Sequence, residues 1–363
     1  MRRTTMEEYA VEAVGLSKSY GSVRALKSVD VQIAKGEYFV LLGPSGGGKT
    51  TLLRLIGGFL KPTSGDIRIN GKSVARLPPN KRPTSMVFQS YALFPHMTVA
   101  ENIGYGLKIK RIAKHEIDRR VDEMLGVVGL SGFGGRRTFE LSGGQQQRVQ
   151  LARALVLESD IILLDEPLAA LDAKLRKDMC FWLKQLQERL GITFIHVTHN
   201  QEEAMSVGDR LAIVSGGELV EAGTVRELYE TPRKRFTADF IGENNILDGT
   251  VAGVADGVAR LDLGVATVPV PATEPVVPGT DAALSVRSEL MRVSDAAGSG
   301  PSLPVTYVER FYLGLVTRHQ VRLADGREIN VRSVSDRDTT PEIAPGAPAF
   351  VTWDVDAGRL HTS

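Results

Sequence analysis

Gly43-Pro44-Ser45-Gly46-Gly47-Gly48-Lys49-Thr50 decides how this chain is read. The stretch has the spacing Gly-x4-Gly-Lys-Thr, follows the apolar run Tyr38 to Leu42, and precedes a segment of helical character that begins near Thr50. A strand, a glycine turn and a helix start in that order make a phosphate cradle. The glycines let backbone N–H groups turn inward around phosphate oxygens, and the helix adds the positive end of its dipole. Gly43, Pro44, Ser45, Gly46 and Gly48 are therefore candidate nucleotide contacts. The Lys49 ammonium is expected to reach β- and γ-phosphates and Thr50 to ligate Mg²⁺, with Thr51 beside it in the same nucleotide-binding group.

Downstream, Ile161-Ile162-Leu163-Leu164-Asp165-Glu166 reads as a strand buried on both faces that ends in two carboxylates. Open α/β sheets bind ligands at the C-terminal edges of their strands, so these carboxylates belong beside the cradle. Asp165 is expected to hold Mg²⁺, directly or through water, and Glu166 to orient and deprotonate an attacking water. This pair of motifs leaves kinases, GTPases, helicases and transport ATPases open.

Outward from the cradle, apolar runs alternate with amphipathic stretches up to Lys234, which predicts an α/β domain with a parallel sheet. Strand signals fade between Tyr91 and Leu141, where Ile117, Val121, Met124, Leu125 and Val128 recur at helical spacing. No lysine follows Lys234, and nine of the 17 prolines follow Gly249 among short Val-rich runs. That composition predicts a small all-β barrel or sandwich. The expected organisation is a frayed start over 1–11, an α/β phosphate-loop nucleotide-binding domain over 12–242 with a helical subdomain at about 90–150, and an all-β domain over 243–363.

Composition narrows the function classes. With 44 Lys+Arg against 43 Asp+Glu, the net charge of +1 provides no overall basic field for nonspecific nucleic-acid binding. The single cysteine, Cys180, cannot close an intramolecular disulfide, which fits a reducing cytosol. No apolar run approaches the roughly 20 residues that span a bilayer. Acidic residues among Thr4 to Ala10 occupy the place where an export signal needs an apolar core.

Leu141-Ser142-Gly143-Gly144-Gln145-Gln146-Gln147-Arg148 discriminates among the phosphate-loop classes. Ser142 is a good N-cap, and Val149, Ala152, Leu155 and Val156 give the following helix an apolar face, so Ser142, Gly143, Gly144 and Gln145 form a second anion-binding helix terminus. One ATP fills the first cradle. A second cradle makes sense if it serves the nucleotide of a partner chain.

With these motifs the sequence resembles the ATP-binding cassette family from about residue 12 to the end. The resemblance implies that Tyr20 stacks on adenine and that Gln89 contacts Mg²⁺ and the attacking water. It also implies that Asp172 communicates across a homodimer and that His199 contacts the γ-phosphate. Ala169 stands where serine is usual and Asn200 where aspartate is usual, substitutions that soften the cross-dimer hydrogen bonds and leave the base in place.

Within the family, Tyr91-Ala92-Leu93-Phe94-Pro95-His96-Met97-Thr98-Val99-Ala100-Glu101-Asn102 looks like the segment of bacterial importer ATPases that receives helices from two integral-membrane permease subunits. Leu284-Ser285-Val286-Arg287 and Phe311-Tyr312-Leu313-Gly314 look like the OB-type appendage of such importers. The run Arg235 to Asn245 is closer to polyamine-type importers than to sugar-type ones. The resemblance thus implies an ATP- and Mg²⁺-dependent subunit at the cytoplasmic face of the inner membrane, served indirectly by an extracytoplasmic solute receptor. Iron(III) or sugar uptake is the alternative cargo. A cassette ATPase acting on nucleic acid is disfavoured by the lysine-free appendage.

Overall fold

The structure, a computed structural model, describes residues 9–89, 93–298 and 300–362. The chain divides into two units, Met1–Val225 and Arg226–Ser363.

The first unit is organised by a six-stranded sheet of β1 (Tyr38–Leu42), β2 (Thr84–Val87), β3 (Ile161–Asp165), β4 (Thr193–Thr198), β5 (Arg210–Ser215) and β6 (Glu218–Thr224). Its order is β6-β5-β1-β4-β3-β2. From β5 through β2 all neighbours are parallel, and only β6 pairs antiparallel. Every residue of β1, β3 and β4 is buried. These strands are covered on both faces, as uninterrupted apolar runs require in a parallel sheet.

A second sheet, antiparallel and four-stranded, joins Val23–Ala34, Tyr9–Tyr20, Ser64–Ile69 and Lys72–Ser73 in that order. Leu16, Leu26, Ile33 and Ile67 from it share one core with Phe39 of β1 and with Leu52 and Ile56 of α1 (Lys49–Ile56). The expected frayed start over 1–11 is corrected here. Its strand already begins at Tyr9, because Val11 pairs with both Ile33 and Ile69 and is fully buried; residues 1–8 lie outside the described residues.

The helical subdomain consists of α2 (Val99–Ile109), α3 (Lys114–Val127) and α4 (Gly143–Leu155) around Ile103, Leu107, Val121, Leu125, Val149 and Ala152. A capping box between Thr98 and Glu101 starts α2. Two further helices, α5 (Ala173–Leu190) and α6 (Gln201–Val207), follow β3 and β4.

The second unit holds two five-stranded antiparallel sheets whose facing side chains form one core, with Leu261, Val268 and Leu284 from one sheet and Leu303, Val331 and Val351 from the other. Its boundary falls at the start of α7 (Val225–Glu230), ahead of α8 (Arg235–Phe240), and not after Gly242 as expected. The reason is Arg287. Its buried guanidinium donates to the carbonyls of Tyr229 and Ile241, which ties these helices to the β-sheets. Among the described residues, no helix is long and apolar enough to cross a membrane.

Candidate nucleotide-hydrolysis site

The glycine turn after β1 is built so that only glycine fits at Gly43, Gly47 and Gly48. Gly43 has φ 155°, and a Cβ there would stand 2.0 Å from the Val214 carbonyl oxygen. At Gly47 the same carbonyl would be 2.7 Å away, and at Gly48, with φ 109°, the Ala25 carbonyl would be 2.8 Å away. Backbone packing behind the loop therefore excludes side chains and leaves its amides to face a ligand. Helix α1 starts with Gly48 as N-cap and no side chain capping it. Its first N–H groups keep the hydrogen-bonding capacity that an anion satisfies.

Lys49 is buried, and its Nζ donates to the carbonyl oxygens of Gly43 and Pro44 at 2.8 Å each. Burial lowers its pKa, and the carboxylates of Glu166 and Asp165 only partly offset that. Thr50 Oγ1 donates to Asp165 Oδ1 at 3.0 Å, and the Arg54 guanidinium lies 3.4 Å from Asp165 Oδ2. Thr51, half-buried, continues the helix.

Three strand ends supply the rest. Glu166, directly after β3, takes φ 46° while its N–H donates to Val197 O at 3.0 Å. A non-glycine residue held there is strained, and a hydrogen bond to the neighbouring strand secures it. Glu166 Oε2 lies 3.3 Å from Gln89 Nε2 and 3.3 Å from His199 Nδ1. Gln89 follows β2 and His199 follows β4, so three residues expected from separate motifs meet at one carboxylate. On α4, Gln150 Nε2 donates to Phe88 O at 2.7 Å and so fixes the residue before Gln89.

The second cradle stands apart. Ser142 caps α4, its hydroxyl accepting from Gln145 N at 3.4 Å while Ser142 N donates to Gln145 Oε1 at 3.0 Å. Gly143 opens α4, and Gly144 packs against Leu175 at the start of α5, which Asp172 caps by accepting from Leu175 N at 2.9 Å. Among the described residues, no hydrogen bond or ion pair joins Ser142–Gln145 to Lys49, Thr50, Asp165 or Glu166 within the chain. Tyr20 ends its strand and is 48% exposed, with the Lys18 ammonium 5.0 Å from its ring centroid.

In the segment read as a permease contact, Tyr91 and Ala92 lie outside the described residues. Phe94 is half-buried and not an exposed aromatic. Its ring packs 4.7 Å from that of Tyr105 under the Arg153 guanidinium, and its backbone is held by Asn102.

Sequence reading passed over Arg54, His196 and Glu203. The last had a signal, since Asn200-Gln201-Glu202-Glu203 has capping-box spacing. Asn200 does cap α6 by accepting from Glu203 N at 3.0 Å, but the Glu203 carboxylate turns away to Thr198 and His196.

Known proteins resemble the chain in both of its units. Residues 26–169 match the family model described as ABC transporter, and residues 284–360 match that described as TOBE domain. A protein of Mesorhizobium japonicum named spermidine/putrescine import ATP-binding protein PotA is 48% identical, over 90% of this chain and 91% of its own length. The Thermobifida fusca protein of the same name is 45% identical, over 96% and 93%. Among solved structures, the dimeric post-hydrolysis state of the ATP-binding cassette MJ0796 bound to ADP and Pi superposes with TM-score 0.53. That cassette is 35% identical and covers 60% of this chain and 99% of its own. A phosphate loop, a carboxylate set at the sheet edge and likeness along nine-tenths of the sequence have one reading: the chain belongs to the ABC transporter family of ATP-binding proteins, with its cassette followed by a TOBE domain.

Proposed function

We propose that this chain is the ATP-hydrolysing subunit of a bacterial polyamine importer. The observation that carries the hydrolytic reading is the meeting of Gln89, Glu166 and His199 beside Lys49, Thr50 and Asp165. Gly43 to Lys49 receive the phosphates, Tyr20 takes the adenine, and Lys49, already desolvated, exchanges its carbonyl partners for phosphate oxygens. The Thr50 hydroxyl and the Asp165 carboxylate, 3.0 Å apart, are hard oxygen donors of the kind Mg²⁺ takes, and Gln89 would complete the set. When bound, Mg²⁺ neutralises charge on the phosphates.

Glu166 orients the attacking water and accepts its proton, while Gln89 and His199 hold the carboxylate in place. His199 also reaches the γ-phosphate. Ser142, Gly143, Gly144 and Gln145 complete the site on a second copy, so two chains close head to tail around two ATP molecules, with Asp172 in the contact between them. Two permease subunits hold the pair at the cytoplasmic face of the inner membrane and meet it around Phe94, and the solute receptor acts through them. The Arg235 to Asn245 run and the names of the relatives support the polyamine cargo.

Reconstitution with its permeases and receptor tests the whole reading. Putrescine or spermidine should raise ATP turnover and Glu166→Gln should silence it. Stimulation by a maltose-like sugar alone would reverse the cargo.

A further inference from the structure

Beneath His199 runs a buried polar relay that the hydrolytic reading does not use. Tyr38, at the start of the strand that leads into the glycine turn, places its Oη 3.0 Å from His196 Nδ1. His196 Nε2 lies 2.9 Å from Glu203 Oε1, and Glu203 Oε2 accepts from Thr198 Oγ1 at 2.9 Å. Thr198 Oγ1 in turn accepts from the N–H of Asn200 at 3.0 Å. Tyr38 and His196 are fully buried, and Thr198 and Glu203 nearly so.

The polarity of this chain follows from its ends. A carboxylate accepts only, so the arrangement suits a His196 with its proton on Nε2 and with Nδ1 accepting from the Tyr38 hydroxyl. Burial raises the pKa of the Glu203 carboxyl, but the hydrogen bonds from His196 and Thr198 and the charge of Arg176 outweigh it and hold the group below its ordinary range. A buried charge is costly and is retained where it has a task. Here the task lies around residue 199. Thr198 and Asn200 flank His199; the Thr198 hydroxyl donates to the Glu203 carboxylate, the Asn200 N–H donates to Thr198 Oγ1, and Asn200 Oδ1 accepts from the Glu203 N–H.

We infer that Glu203 is a positioning residue for His199: through Thr198 its carboxylate fixes the turn that aims the His199 ring at Glu166. The inference rests on the reading of His199 as part of the hydrolytic site. An anchor that only stabilised α6 would affect folding, and hydrolysis in equal measure with or without His199. A positioning anchor loses its effect on turnover once the ring it aims is gone.

The experiment uses the full-length chain with Glu203→Gln, Thr198→Val and Thr198→Ser, alone and combined with His199→Ala. Single-turnover ATP hydrolysis and Mg-free ATP affinity are read for each. The expected result is a loss of about tenfold or more in rate for Glu203→Gln and Thr198→Val. Affinity should hold within about twofold, Thr198→Ser should restore the rate, and adding either damaging change to His199→Ala should cost less than about twofold. If Glu203→Gln fails to fold, Thr198→Val reads the same relay with the carboxylate intact. A rate loss that multiplies on His199→Ala, or parent-level rates for Thr198→Val, overturns the positioning role. A His199→Ala protein that hydrolyses ATP at the parent rate overturns the reading of His199 itself, which is a separate result.

Discussion

Helix α1 begins at Gly48 with no capping side chain, whereas α4 begins at Ser142 with a capping box that its own Gln145 completes. At α1 the leading amides are left for a ligand, and a side chain could not replace one because the Val214 and Ala25 carbonyls fill the space behind the turn. At α4 the Ser142 and Gln145 amides already have partners inside the chain, one of them at a long 3.4 Å. A bond of that length is weak and is easily exchanged. The first helix start is thus a complete cradle made by one chain. The second keeps its shape alone, with a cap that an anion could displace. That difference is what the proposed sharing of a nucleotide between two chains requires.

The largest effect expected is on the first cradle's chemistry. Glu166→Gln keeps size and removes the base, so hydrolysis should fall by about 10²- to 10⁴-fold while ATP binding survives. A steady-state ATPase assay beside equilibrium binding measures both. Parent-rate hydrolysis would take Glu166 out of its role.

Next in size is a pair of glycine substitutions. Gly43→Ala drives a Cβ against backbone 2.0 Å away, whereas the nearest atom to a Cβ at Gly144 is a Leu175 methyl at 3.0 Å, which can move. A strained backbone position costs about 1 to 3 kcal/mol, so Gly43→Ala should lose roughly tenfold or more in ATP affinity of the single chain. Gly144→Ala should stay near the parent. Equal losses would erase the distinction between the two cradles.

A smaller effect separates capping from sharing. Ser142→Ala should cost about 1 kcal/mol of stability in denaturant unfolding. Ser142→Arg, placed on the Glu166→Gln chain, should abolish the ATP-induced shift from monomer to dimer in light scattering while leaving ATP affinity of the monomer intact. A dimer indifferent to Ser142→Arg would show that the second cradle serves no partner.

The smallest effect belongs to a third helix start, α6, which Asn200 caps while the Glu203 carboxylate is buried against Thr198 and His196. The folded-state pKa of Glu203 is depressed, so its contribution to stability is present above its unfolded value, near 4.5, and is lost as pH falls through the folded value. The stability gap between parent and Glu203→Gln should therefore narrow on acidification from pH 6 toward pH 3. Chemical unfolding at several pH values reads it, and a gap that widens would mean the carboxyl is protonated at neutral pH.

The glycine turn, the capped signature helix and the strand ending in Asp165-Glu166 were legible from sequence because each is a local pattern. Glycine spacing, an N-cap residue and an apolar run act through neighbouring backbone, and their geometry follows wherever the segment lies. Strand order in the sheet is another matter. Gln89 and Glu166 are 77 positions apart and meet only because β2 lies beside β3, and His199 joins them only because β4 lies on the other side. The same holds for the strand at Tyr9, which exists because Ile33 and Ile69 receive Val11. Likewise the domain boundary was misplaced because Arg287 reaches carbonyls 58 and 46 positions back. The Asn200 to Glu203 spacing is that of a capping box, but burial against His196 and Thr198 turned the carboxylate inward. Chemistry carried by adjacent residues was determined by the sequence alone. The tertiary structure decided which distant residues share a dry, low-dielectric space, since that depends on how segments pack, and no single segment encodes it.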